Sequence, residues 1–83
     1  MELKVRKHLN QLYIRLPTEI TKLLSSKKQD VSVNGINFTA IITFENYLKK
    51  DGNITKTGMT TIPSKISDYL KLKNGDNIQF EIL

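Results

Sequence analysis

One order of parts occurs twice in this chain, and no other feature limits its fold so strongly. The segments "LYIRLPTEITKLLSSKKQDVSVNG", from Leu12, and "GMTTIPSKISDYLKLKNGDNIQFEIL", from Gly58, each read as alternating strand, proline, short helix, turn and strand. Leu16-Pro17 matches Ile62-Pro63, Ile20 matches Ile66, Leu23-Leu24 matches Tyr69-Leu70 and Asp30 matches Asp76, always 46 residues apart. Similarity at a fixed offset marks a supersecondary unit that cannot bury its apolar face alone, so the two copies are expected to close one another's core. A chain of 83 residues has room for one such domain, covering 1–83. It has no cysteine, so packing rather than disulfides or thiolate-bound metal must hold it together.

Local patterns fill in the unit. Leu3 and Val5 alternate with Lys4 and Arg6, and Leu12, Ile14 and Leu16 alternate with Tyr13 and Arg15, predicting two half-buried strands paired as a hairpin around His8-Leu9-Asn10. Pro17 fixes φ and lacks an N–H, so the strand stops there and a helix can start. In "TEITKLLSS", Ile20, Leu23 and Leu24 form an apolar stripe, predicting a docked helix of about two or three turns. Val31 and Val33 lead into Asn34-Gly35, a type I′ hairpin signal. A strand-forming stretch runs from Ile36 to Tyr47, and Asp51-Gly52 offers a second turn of the same kind. After Pro63 the unit repeats, with Asn74-Gly75 as the turn where the first copy has Lys28-Gln29, and with Ile78, Phe80 and Ile82 alternating. The expected fold is mostly β with two short helices: a small barrel of two pseudo-symmetric β-β-α-β repeats, at about 2–45 and 46–83. No counterpart of the strand after Asn34-Gly35 follows the last strand, so the symmetry is expected to be incomplete.

The net charge of +5 is unevenly placed. Residues 1–28 carry Lys4, Arg6, Lys7, Arg15, Lys22, Lys27 and Lys28 against Glu2 and Glu19, whereas cations and carboxylates balance six to six in the remainder. All of the excess lies in the first copy. Such a local field attracts polyanions, nucleic acid above all; its plain alternative is a solubilising surface. The apolar runs are too short for a spanning helix and the N-terminus lacks the apolar stretch of a secretory signal, so a soluble, cytoplasmic protein is expected, with no membrane partner.

The segment "KTGMTTIPSKISDYLKLKNGDNIQFEI" resembles the AbrB/SpoVT/MazE swapped-hairpin motif at Gly58, Ile62, Pro63, Ile66, Leu70, Leu72, Gly75 and Asp76. The first copy, "VRKHLNQLYIRLPTEITKLL", resembles it at its basic positions but has Leu12 where the family has glycine. The resemblance implies an AbrB-like barrel that binds double-stranded DNA as a transcriptional regulator. Members usually exchange hairpins to make one barrel per dimer; here the copies are fused, so one chain makes a barrel equivalent and a homodimer stays open. The family's DNA-contacting basic pair falls on Arg6 and Lys7. Its helical pair falls on Thr21 and Lys22, and the basic position after its glycine on Tyr13, with Arg15 further along the same outward face. The corresponding residues of the second copy, Gly52, Asn53, Met59, Ser67 and Asp68, are not basic. The expected division is that both copies build the barrel while the first keeps the nucleic-acid surface.

The candidate DNA-binding residues are therefore Lys4, Arg6, Lys7, Tyr13, Arg15 and Lys22, together with Lys49, Lys50 and Lys56 around the Asp51-Gly52 turn. The last three are either a second contact region or hairpin-edge lysines that discourage aggregation. Arg6 and Arg15 suit base reading, since a guanidinium fork can address guanine O6 and N7, and the lysines suit phosphates. Tyr13 either meets the backbone or covers the sheet edge.

Catalysis is poorly supported. His8 is the single histidine with no spaced nucleophile, and Asp30, Asp51 and Asp76 occupy turns, where Asp bonds locally. Neither Asn34-Gly35 nor Asn74-Gly75 makes a phosphate loop, and neither cofactor, metal nor small-molecule substrate is implied. Two alternatives compete. A ribbon–helix–helix repressor would share the "LYIRLPTEITKLL" pattern but needs a second long helix in place of "DVSVNGINF". A protein–protein interaction module of the antitoxin type would share the barrel, though no tail follows the last strand to wrap a toxin.

Overall fold

The computed structural model describes residues 1–24 and 26–83, Tyr47 by its backbone only. Six strands and two helices follow in the order β1 (Glu2–His8), β2 (Gln11–Leu16), α1 (Thr18–Thr21), β3 (Lys28–Val33), β4 (Ile36–Leu48), β5 (Ile54–Thr61), α2 (Ser64–Tyr69) and β6 (Asn77–Ile82). The strands close an antiparallel barrel in the order β1-β2-β5-β4-β3-β6. Exchanging β1, β2 and β3 with β4, β5 and β6 returns the same ring. The pseudo-twofold repeat is thus complete, and its symmetric division falls at Asn34-Gly35 rather than near residue 45. The strand after Asn34-Gly35 opens the second copy as the counterpart of β1.

The copies interleave. Only β1–β2 and β4–β5 pair within a copy; β2–β5, β4–β3, β3–β6 and β6–β1 all pair across. Neither half can satisfy its strand edges without the other, which gives physical content to the repeat read in the sequence. Inside the barrel lie Val5, Ile14, Leu16, Val31, Val33, Ala40, Ile42, Ile78 and Phe80, and Ile20, Leu24 and Ile62 complete the buried core. These are the inward positions of alternating strands and the apolar positions beside the helices.

Pro17 and Pro63 hold equivalent places. Each precedes its helix, and its carbonyl accepts the N–H groups of Ile20 and Thr21 in the first copy and of Ile66 and Ser67 in the second. The Thr21 hydroxyl donates to the Thr18 carbonyl and the Ser67 hydroxyl to the Ser64 carbonyl. Helix α1 is shorter than the apolar stripe predicted: it spans four residues, and Ser25 of that stretch lies outside the described residues. Leu24 is buried, but Leu23 is 72% exposed and its counterpart Tyr69 is 76% exposed, so the stripe is narrower than three positions.

Pairing register corrects three correspondences. Val5 faces Ile14 as Ile42 faces Thr60. Ile14 and Thr60 lie 46 residues apart, but Val5 and Ile42 only 37, so the β4–β5 hairpin is nine residues longer than β1–β2. Arg6 and Lys7 therefore correspond to Thr43 and Phe44, not to Gly52 and Asn53. Asp30 does not correspond to Asp76: Asp30 sits within β3 and accepts a bond from the Thr39 hydroxyl, whereas Asp76 precedes β6 and accepts from the Lys73 N–H. Lys28-Gln29 belongs to β3 and is not a turn.

Asn34 and Gly35 both have positive φ, 48° and 85°, as a type I′ turn requires. The Asp51-Gly52 loop is a different kind. Lys49 donates to the Asn53 carbonyl and Gly52 to the Lys49 carbonyl, and only Gly52 is left-handed, which describes a turn closed by a glycine bulge. Gly58 fits a close approach. A Cβ there would stand 3.1 Å from Ile42 Cγ2 and 3.2 Å from Thr21 Cγ2, so its absence lets α1 seat on β5. Leu12 occupies the equivalent place beneath α2, and a cleft of about 700 Å³ opens between β2 and α2.

Candidate nucleic-acid interface

Strand alternation sorts the candidate residues by face. In β1 and β2, Val5, Ile14 and Leu16 point inward, so Lys4, Arg6, Tyr13 and Arg15 point outward. Arg6 lies directly across from Tyr13, and Arg15 is its diagonal neighbour, at about 7–8 Å by strand spacing. Lys4, one residue beyond that ladder, shares the outward side. These four residues make one patch on adjacent strands.

Tyr13 and Arg15 also face Thr61 and Met59 of β5, so the patch continues across the pseudo-twofold axis. There the symmetry mates are uncharged: Ile41 for Lys4, Thr43 for Arg6, Met59 for Tyr13 and Thr61 for Arg15. At these four positions the outer sheet is basic on one side of the axis and uncharged on the other, while Glu2 shares the outward side of β1 and Glu45 that of β4. Lys28 bounds the neutral side, paired with Ile41 and exposed. In the sequence the doublet Lys27-Lys28 masks the strand signal that alternation of Lys28 with Asp30 carries.

The remaining candidates lie elsewhere. Lys7 has the inward parity of Val5 but stands at the barrel's end, exposed, opposite Leu12, where it lines the cleft against α2 with Asn10, Gln11, Ser64 and Lys73. Arg6 and Lys7 consequently serve different faces. Lys22 follows Thr21, whose hydroxyl donates to the Lys56 carbonyl at 2.8 Å, so Lys22 and Lys56 belong to one corner at the foot of the β4–β5 hairpin. Lys56 Nζ sits over the Phe44 ring, 4.1 Å from its centroid. Lys49 and Lys50 are at that hairpin's far end.

His8 is exposed at the end of β1, across from Gln11. Among the described residues, no group of three or more His, Asp or Glu side chains is placed to hold a metal ion. No helix is long and apolar enough to cross a membrane. Set beside family models, curated proteins and solved structures, the chain matches none.

Proposed function

We propose that this chain binds double-stranded DNA through the outward face of β1 and β2, as a transcriptional regulator of the AbrB type. One observation carries the reading: pairing register sets Lys4, Arg6, Tyr13 and Arg15 against uncharged symmetry mates on an otherwise continuous sheet. Core packing explains the inward residues of both copies alike and gives no reason for three cations at outward positions whose symmetry mates are uncharged. A rigid sheet that presents two guanidinium groups diagonally supplies phosphate contacts without ordering a loop. The Arg forks can also address guanine in the major groove. The neutral half needs no contact.

The test is a salt titration of binding to random-sequence duplex DNA, with an acidic protein as the control ligand. The three cations of the patch contribute about −3 to the log–log slope, from about 0.9 per phosphate. Replacing Arg6 and Arg15 by alanine flattens that slope by about 2. No binding at low salt rejects the reading and favours an interaction module whose partner is another protein.

A further inference from the structure

The nine additional residues of the second hairpin lie at its free end. Strand β3 pairs with β4 over Ile36–Ile41, and β2 pairs with β5 over Gly58–Thr61. Beyond those limits, Glu45–Leu48 and Ile54–Thr57 pair as a two-stranded ribbon, held at its base where the Thr18 and Thr21 hydroxyls donate to the Lys56 carbonyl. The β1–β2 hairpin has no such extension, since its ladder closes at His8 and Gln11.

The ribbon's two faces differ. By alternation from inward Ile42 and Phe44, one face carries Asn46, Leu48, Ile54 and Lys56, and the other carries Glu45 and Thr57. Leu48 and Ile54 are direct cross-strand partners, yet they are 72% and 73% exposed. Their contact steadies the ribbon and still leaves an apolar tip in water. Lys49 and Lys50 lie immediately beyond it and Lys56 lies behind it. Asp51, the nearby carboxylate, is turned to its own loop, accepting bonds from the Asn53 backbone and side chain.

We infer that this ribbon is a DNA-wedging arm: Leu48 and Ile54 enter the minor groove and part a base step, while Lys49, Lys50 and Lys56 hold the flanking phosphates. The inference rests on the DNA-binding reading above and extends it. Apolar wedges flanked by cations unstack base steps and kink the duplex, and a bent duplex meets more of the protein's surface. Charge complementarity selects this occupant: lysines bracket the apolar pair and Glu45 points from the opposite face. The wedge face has the parity of Ile42 and Phe44, opposite to that of the β1–β2 patch, so the arm meets the duplex beyond the sheet, where the bend carries it round the ribbon.

The experiment uses the full chain and a duplex containing 2-aminopurine, with dyes at both ends to report bending by energy transfer. The wild-type protein is expected to raise 2-aminopurine fluorescence and to bend the duplex by about 20–90°. L48A/I54A is expected to bind with the same salt slope and to lose both signals. These side chains are exposed, so its fold should persist, and a thermal melt verifies this. K49A/K50A is expected to flatten the slope by about 2. Binding by the wild type without unstacking overturns the arm and leaves the DNA-binding reading intact; no binding at all overturns both. If the wild type sediments as a dimer that L48A/I54A converts to monomer, and bending is unchanged, the tip belongs to a second copy of the chain and the inference fails.

Discussion

Gly58 sets how tightly α1 closes its end of the barrel, and Gly58→Ala tests that seat. The added Cβ would approach Ile42 Cγ2 at 3.1 Å and Thr21 Cγ2 at 3.2 Å, both closer than ordinary contact, with Phe44 Cδ1 at 3.5 Å. Neither near neighbour moves freely. Ile42 is buried in the core, and the Thr21 hydroxyl is tied to the Lys56 carbonyl at 2.8 Å. Overpacking of this kind costs about 1–3 kcal/mol, while losing a flexible glycine from a strand returns about 0.5–1 kcal/mol. The net expectation is a destabilisation of about 1–2 kcal/mol, which lowers Tm by about 5–15 °C for a domain of this size. Thr21→Ser removes the clashing methyl and keeps the hydroxyl, so G58A/T21S should recover at least about 0.5 kcal/mol as coupling in a double-mutant cycle. Urea titration and thermal melts of the four proteins supply the cycle. A G58A protein as stable as wild type, or a pair of strictly additive effects, would show that the helix is not seated through this contact.

Leu9 has φ of 56° at the first central position of the β1–β2 turn and is 82% exposed, so Leu9→Gly should stabilise the fold by about 1 kcal/mol in denaturant titration. Phe80→Ala empties the largest fully buried side chain and should cost about 3–5 kcal/mol, enough to leave much of the chain unfolded by circular dichroism at room temperature. Fragments 1–34 and 35–83 should each be unfolded alone and recover β-sheet signal when mixed, because four of the six strand pairings join the copies. Replacing Arg6 and Arg15 by alanine should weaken DNA binding far more than replacing Lys71 and Lys73; equal losses would remove the meaning of the charge asymmetry.

The sequence made the architecture legible because period-two alternation and two prolines at one offset are local signals that the ring topology obeys. Register was harder to read. An offset of 46 holds from β2 to β5, but the second hairpin lengthens it, and no residue pattern announces the nine extra residues. For that reason a constant offset matches Arg6 to Gly52, whereas the register matches it to Thr43. Asp51-Gly52 resembled a two-residue turn because the dipeptide fits both turn types, and only the bond from Lys49 to Asn53 separates them. The basic patch was partly legible: alternation places Lys4, Arg6, Tyr13 and Arg15 together, and Lys7, which breaks the alternation, stands where its strand leaves the barrel. Helix α1 is a single turn, and Leu23, 72% exposed, only borders an open groove with Met1, Ile20, Phe80 and Ile82.

Barrel closure joins β1, at the start of the chain, to β6, near its end: Met1 and Phe80 exchange backbone bonds, and Leu3 faces Ile78. On a ribosome, β1 and β3 must wait for β6, made after the other five strands, with open edges and half of the apolar interior in water. Pairings so distant in sequence make folding slow compared with a helical bundle of similar length. A nascent barrel of this design is most vulnerable to aggregation or proteolysis until β6 has emerged to close it.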